Sequence, residues 1–441
     1  MAMVVKNNMS ALSTLNTLNR NTKALSKSLQ KVSSGMKINS AADDASGYAI
    51  SERMRVQIRS LDQANSNAQN GGSMMKVAEG AVSSTVEILK TLKEKAVNAA
   101  NDTNTDADRQ TIQKELDQSI DQINDNANVT FNGQYLVDGS KNSKTTGTST
   151  ALTNQSLSTE TASGTALTDL KARNGDSLNI QSTDTVTVSW VKDGKTYTAS
   201  TEVGTKSTLN TIMTTLKTAD NHNLSDDVKL SAKNTSYIEM DGSNNTVYTA
   251  SGENAITITS KGTGIENQIS GFTISITDNT GAVRKSANAA LDAFDETLRA
   301  QNKSVDNSIN LQIGTKANQT IKVGLTDMKA QALGLQGKDN NTIQVGNQKQ
   351  ANAAINVLDA AIQKALDQQT TIGAVQSRLE YTQSNLTTAS ENVTAAESTI
   401  RDADMAKEMT EYTKNNVLMQ AAQSMLAQAN QSSSNVLSLL Q

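Results

Sequence analysis

A search for chemistry in this chain starts with its single histidine, its lack of cysteine and the adjacent carboxylates Asp43 and Asp44. His222 stands in Asp220-Asn221-His222-Asn223. A Ser-His-Asp triad could use only this residue, and a zinc-binding HExxH helix needs a second histidine that does not exist. His222 therefore reads as a solvated loop residue. With no Cys, thiol catalysis, disulfides and Cys-based metal sites are excluded. Asp43 and Asp44 could be the two acids of a hydrolase. They stand just before a helical pattern, however, where acidic groups complement the helix dipole. The methionines lie on helical stripes and read as core filler. No Gly-rich phosphate loop is present. No catalytic residue, cofactor or metal is expected.

The elements that carry these residues are mostly helical. Near the start, Val4, Ala11, Leu15, Leu18, Leu25, Leu29 and Val32 recur in steps of four and three, with polar Asn8 and Thr22 in the same stripe. That spacing predicts a coiled-coil seam of several heptads. Ser33-Ser34-Gly35 is the expected break. A second helix is predicted from about Asp44 to Asn101, with Ile50, Met54, Ile58, Leu61, Ala68, Met75, Val82, Val86, Leu89 and Ala96 on its stripe. A third carries Ile112, Leu116, Ile123 and Ala127, and Phe131-Asn132-Gly133 turns the chain into a short extended segment. At the other end, Leu358, Ala365, Ile372, Leu379, Leu386, Val393 and Ile400 repeat every seven residues. Such a run predicts a long supercoiling helix. The register slips at Arg401–Asp404 and restarts as Met405, Tyr412, Met419 and Leu426, flanked by Leu418, Ala422, Met425 and Ala429, and the chain closes on Val436, Leu437, Leu439 and Leu440.

The middle is written differently. From Ser140 to about Asn307 it is rich in Ser, Thr, Asn and Gly. Thr185–Trp190 alternates, Asp193-Gly194 is a hairpin turn, and Lys195–Thr198 alternates again. Ile256–Ile258 and Phe272–Ile276 read as strands, and a helical pattern returns near Leu291–Leu298. Leu311–Ile313 and Thr320–Leu325 suggest a further hairpin. The expected fold is mainly α: long terminal helices forming a coiled-coil core and a helical rod, with an inserted β-containing variable domain. An insert of this kind is expected to make few contacts with its carrier.

Composition supports that reading. Pro is absent, where ordinary usage of roughly 5% would supply about twenty, and Pro breaks helix interiors. Aromatics are only 2%, so aliphatic side chains must pack the core. The net charge of -4 argues against nucleic acid as a partner. The first 42 residues carry six basic groups and no acid. A transit peptide shares that bias, but this segment continues into a helical pattern instead of a cleavage site. The apolar run Met1–Val5 meets Lys6, which is too short for a secretory signal. No stretch approaches the roughly 18 apolar residues of a membrane span.

A stripe of this kind must be buried against another helix. The terminal stripes are interrupted by polar residues, so a lone pair would be weakly stable. Two such ends flanking a polar middle describe a subunit that hides its ends by heterologous assembly into a filament. An ordinary intramolecular bundle is the alternative.

Leu29–Ile50 (LQKVSSGMKINSAADDASGYAI), Ala64–Gly71 (ANSNAQNG) and Glu79-Gly80-Ala81 resemble the N-terminal signature of bacterial flagellins. Arg378–Tyr381 (RLEY), Ser390-Glu391-Asn392, Ile400–Ala406 (IRDADMA), Ala427–Asn430 (AQAN) and Asn435–Leu440 (NVLSLL) resemble the C-terminal one. The likeness covers about residues 1–139 and 308–441 and leaves Ser140–Asn307 without a family pattern. It implies an inner core from residues 1–43 and 401–441, a rod from 44–139 and 308–400, and an outward variable domain at 140–307. Val4, Leu15, Leu18, Leu25, Leu29, Met405, Tyr412, Met419 and Leu426 would then pack the inner core. Leu358, Ile372, Leu379, Leu386, Val393 and Ile400 would form the rod seam. The resemblance further implies a helical homopolymer outside the cell, flagellar type III export and a role in motility. The implied partners are hook-junction and filament-cap proteins and an export chaperone at the C-terminal helix. Some flagellins are detected by a Toll-like innate receptor through the segment matching Leu89–Val97 and Glu115. Activating members usually carry Arg where this chain has Thr91 and Leu where it has Lys95, which implies weak contact. Two rival classes share such ends: a hook–filament junction protein, set apart by low abundance in sheared flagella, and an enzyme carried on flagellin ends, which a substrate panel would reveal.

Overall fold

The computed structural model describes residues 8–218, 222–231 and 235–439. Val4 and Leu440 lie outside the described residues. Helix α1 (Met9–Ser34) opens on Asn8, whose side chain accepts from the Ala11 N–H, and closes on Gly35 in the left-handed conformation (φ 71). Only glycine adopts that conformation without cost, and it caps the helix as the sequence break predicts. Helix α2 (Ala45–Ala99) follows. Asp44 accepts from the Ser46 and Gly47 N–H groups at 3.1 and 3.0 Å, as a helix-start carboxylate should. Those bonds hold its carboxyl below the usual range. Asp43 serves a different purpose: it accepts from the Asn39 and Ser40 N–H groups and ties the turn before the helix.

Helix α3 (Asp106–Ala127) starts on a capping box between Thr105 and Asp108. Its buried Arg109 donates to the carbonyls of Ala99 and Asn101, orphan acceptors at the end of α2. Short strands β1 (Thr130–Phe131) and β2 (Gln134–Tyr135) make a hairpin. The middle then holds β3 (Ala151–Asn154), β4 (Thr185–Lys192), β5 (Lys195–Glu202), α4 (Leu209–Thr215), α5 (Leu224–Asp227), β6 (Val228–Leu230), β7 (Tyr237–Met240), β8 (Thr246–Tyr248), β9 (Ile256–Ser260), β10 (Ile269–Thr277), α6 (Lys285–Leu291) and β11 (Phe294–Leu298). A further hairpin, β12 (Ile309–Gln312) with β13 (Thr320–Val323), leads to α7 (Gln348–Arg401) and α8 (Met405–Leu439).

The chain divides into two compact units. One holds residues 1–68, 312–319 and 381–441, the other 69–311 and 320–380. In the second, α2 and α7 run antiparallel, as the pairs Glu79–Gln376 and Lys93–Asp359 show. Met75, Val82, Val86, Leu89 and Ala96 of α2, Leu116 and Ile123 of α3, and Leu358, Ala365, Ile372 and Leu379 of α7 are all buried.

The middle folds around a core centred on the chain's only tryptophan, Trp190, with the sheets β10-β4-β5 and β11-β3-β9-β6 and a separate β7-β8 hairpin. Asp193 and Gly194 both take positive φ (51 and 70), the two-residue turn that suits strand twist. The helical pattern expected over Leu291–Leu298 is corrected: α6 ends at Leu291, and Phe294–Leu298 is a strand paired with β3. A short apolar run is ambiguous by period, and the waiting edge of β3 decides it.

The insert also does not hang free. A Cβ on Gly271 would stand 2.7 Å from the Val357 side chain and 3.0 Å from the Ala353 carbonyl, so only glycine lets β10 lie this close to α7. Asn356 donates to the Phe272 carbonyl at 3.3 Å, and Arg299 pairs with Asp367 at 2.7 Å. The expectation of few contacts fails because both α7 and β10 carry apolar surface that neither can bury alone.

Candidate assembly site on the terminal helices

Helices α1 and α8 pack antiparallel along their length. Asn8 donates to the Ala429 carbonyl, Asn21 to the Leu418 carbonyl and Asn415 to the Ser28 hydroxyl, each at 3.2 Å. Lys31 pairs with Glu408. On α1 the covered face runs through Ala11, Thr14, Leu18, Asn21, Leu25, Ser28 and Val32. On α8 it runs through Tyr412, Asn415, Met419, Ala422, Leu426 and Ala429.

Half of the predicted stripe is thus turned away. The heptad 11, 18, 25, 32 faces α8, but the second row is Thr14, Asn21 and Ser28 instead of Leu15, Thr22 and Leu29. One residue along a helix is about 100° around it. Asn21 and Ser28 of the polar row hydrogen-bond across the seam, and Leu15 and Leu29 are left outside. Met9, Leu12, Leu15 and Leu29 are exposed, Leu29 at 52%. On α8, Met405, Met409, Val417, Leu418 and Met425 are exposed, Met425 at 62%. Of the predicted rod seam, Leu358, Ile372 and Leu379 are buried, while Leu386, Val393 and Ile400 are half-buried.

The two helix breaks meet. The Lys37 N–H donates to the Arg401 carbonyl and the Ala403 N–H to the Gly35 carbonyl, at 2.8 and 2.9 Å. Arg401 is buried here. It bonds Glu52 at 2.7 Å and lies over the Tyr48 ring, and its guanidinium holds the Glu52 carboxyl below the usual range. Sequence reading marked both breaks without joining them. The IRDAD motif, with a lone Arg at a break between apolar stripes, was the signal available.

Elsewhere the predicted surface residues are plain to place. Thr91 is exposed and bonds back to the Glu87 carbonyl. The Lys95 ammonium bonds the Glu115 carboxylate at 2.9 Å. His222 does lie in a loop, but it is half-buried there and not simply solvated. Its Nε2 lies 2.6 Å from Asp227, and its ring stacks on Tyr197 with centroids 4.6 Å apart. Asp227 also accepts from the Trp190 indole at 2.9 Å and from Lys192 at 2.8 Å. Burial pushes this carboxyl up, but the bonds from Lys192, His222 and Trp190 outweigh it and hold it below the usual range. The network is structural: its carboxylate is 1% exposed and every oxygen has a donor. Among the described residues, no three His, Asp or Glu gather as metal ligands, and no helix is long and apolar enough to cross a membrane.

Comparison with known proteins places this architecture. The bacterial flagellin N-terminal helical region matches residues 5–142, and the C-terminal helical region matches 355–440. The chain is 36% identical to a flagellin of Clostridium tyrobutyricum over 97% of its length and 99% of that protein. It is 32% identical to a flagellin of Bacillus subtilis over 99% of its length and 100% of that protein. Among solved structures it is similar to a flagellar hook associated protein-3 from Legionella pneumophila, at 14% identity and a TM-score of 0.33, covering 78% of this chain and 97% of that one. The matched ends are the helices whose apolar rows stand open, and the chain belongs to the bacterial flagellin family: it is a non-enzymatic structural subunit that polymerises into the extracellular flagellar filament of swimming cells and leaves the cell by the flagellar type III route.

Proposed function

We propose that the rows Met9, Leu12, Leu15, Leu29 on α1 and Met405, Met409, Val417, Leu418, Met425 on α8 are the surfaces through which copies of this chain join. The observation that carries this is their exposure beside a seam that is half polar. Monomeric proteins rarely leave contiguous apolar rows open. Residues 1–43 with 401–441 then form the filament's inner core, 44–139 with 308–400 the rod, and 140–307 the outward domain. Hook-junction and filament-cap proteins meet the same rows at the filament's ends. The open row of α8 is where an export chaperone would shield the chain before assembly.

Leu15→Asn with Leu29→Asn tests the contact without touching the α1–α8 seam. Burying a leucine is worth about 1.5–3 kcal/mol. Leu15 and Leu29 are 40% and 52% exposed, so the pair gives up about 1.5–3 kcal/mol and should raise the critical concentration for seeded growth by about ten- to a hundredfold, with helicity of the monomer unchanged. A critical concentration equal to the parent's would remove these leucines from the contact.

Contact with a Toll-like receptor is weak in this reading. Thr91 replaces the Arg of activating relatives, and Glu115 is already occupied by Lys95. Losing an interface Arg often costs about 2 kcal/mol, roughly thirtyfold in affinity. Thr91→Arg with Lys95→Leu restores the Arg and frees Glu115. In a receptor-reporter cell assay its potency should rise by about that factor; no gain over the parent would refute the assignment.

A further inference from the structure

We propose that Asn132 is a site of spontaneous covalent modification, losing ammonia to become aspartate or isoaspartate. The chain has three Asn-Gly pairs, Asn70–Gly71, Asn132–Gly133 and Asn174–Gly175, which are equivalent as dipeptides. In each, the glycine amide nitrogen can attack the asparagine Cγ. The new N–Cγ bond closes a five-membered succinimide, the Cγ–Nδ2 bond breaks, and ammonia leaves. Water then opens either carbonyl of the ring, returning the main chain to aspartate or rerouting it through the side chain as isoaspartate. Water is the only co-reactant, and nothing is oxidised or reduced. The reaction needs an unengaged glycine N–H, a side chain free to turn, and a backbone that can leave its folded dihedrals.

The fold meets those needs at one pair. Asn70 and Gly71 lie inside α2, where the glycine N–H is committed to the helix ladder. Gly71 is also buried, with the Leu311 side chain 2.7 Å from where a Cβ would stand. At Asn174–Gly175 the glycine N–H donates to the Ala172 carbonyl at 2.9 Å. The Asn174 amide is held at both ends: Nδ2 donates to the Asp176 carboxylate at 2.6 Å, and Oδ1 accepts from the Asp176 N–H at 3.1 Å. Asn132 and Gly133 form the tip of the β1–β2 hairpin, both at positive φ (50 and 75) and both exposed. Among the described residues neither the Asn132 side chain nor the Gly133 N–H has a hydrogen-bond partner, and a Cβ on Gly133 would meet nothing within 4 Å. The left-handed turn must swing open before the ring can close. It is held by strands of two residues each, a pairing that opens at small cost.

Either product adds a negative charge to a chain whose net charge is -4. Isoaspartate also lengthens the main chain by one methylene inside a two-residue turn, which cannot keep the Phe131–Gln134 pairing.

The test is peptide mapping by mass spectrometry of the full-length chain aged at mildly alkaline pH, folded and in denaturant. Folded, Asn132 should convert roughly tenfold or more faster than Asn174, since the latter must first break its three hydrogen bonds, and Asn70 should be slowest. Unfolded, the three rates should converge. Asp176→Ala should raise the Asn174 rate in the folded chain and leave Asn132 unchanged. Asn70 or Asn174 matching Asn132 in the folded parent would overturn the assignment. Asp176→Ala leaving Asn174 as slow as before would overturn the gating argument behind it.

Discussion

A chain lacking Tyr412–Gln441 stays soluble and does not polymerise, even when seeded with filament fragments. The truncation removes the α8 side of the seam, including Tyr412, Met419 and Leu426, and with it the bonds from Asn21 and Asn415. It also removes the open residues Val417, Leu418 and Met425. Helix α1, of 26 residues, is then alone. Its helix propensity is ordinary, and an isolated helix with a polar-interrupted stripe is marginal in water. Circular dichroism should therefore show a loss of helix larger than the deleted residues account for. The unit holding Trp190 has its own core, so tryptophan fluorescence and its denaturant midpoint should not move. Filaments growing from the truncated chain at the parent's critical concentration would mean that the contact lies elsewhere. A shift in the Trp190 midpoint would mean that the two units do not fold separately.

The second large effect falls on the insert. Asp227→Ala should lower its stability by about 3 kcal/mol. Breaking a buried ion pair from one side costs roughly 3–5 kcal/mol, and the buried Trp190 N–H left without an acceptor is part of that. Lys192 and His222 recover some of it, because their side chains are 24% and 34% exposed and can reach water. Asn at 227 is no rescue: whichever way its amide turns, the NH2 faces a donor, the Lys192 ammonium on one side or the Trp190 indole on the other. Trp190, the only tryptophan, reports the transition directly by fluorescence. The pH dependence has a definite sign. The folded carboxyl titrates below its unfolded value near 3.8, so its stabilisation is full above that value and is lost progressively as the pH falls below it and through the lower folded value. The parent should lose insert stability below about pH 4, and the variant should lack that part of the acid sensitivity. An unchanged denaturant midpoint in Asp227→Ala would show that the network contributes nothing.

What the sequence determined by itself is what short-range physics controls. The apolar stripe predicts a helix from about Asp44 to Asn101, and α2 runs Ala45–Ala99, because a 3.6-residue period and the absence of Pro leave few alternatives. Ser33–Gly35 and Arg401–Asp404 mark real breaks, since a left-handed glycine cap and a slipped heptad are local events. The Asp193-Gly194 hairpin follows from two residues that tolerate positive φ. Family membership was legible for the same reason: its signatures are contiguous.

Tertiary structure alone decided matters that depend on residues far apart in the chain. It chose the polar row of α1 for the α8 seam and left Leu15 and Leu29 outside, because Asn21 and Asn415 find partners only across that seam. Leu291–Leu298 resembles a helix until β3 offers an edge, and then Phe294–Leu298 is a strand. His222 looked solvated because Asp227, Trp190 and Tyr197 reach it only through folding. Periodicity shows that an apolar face exists, but which neighbour covers it is set by a sum of weak distant contacts that no short window of sequence contains.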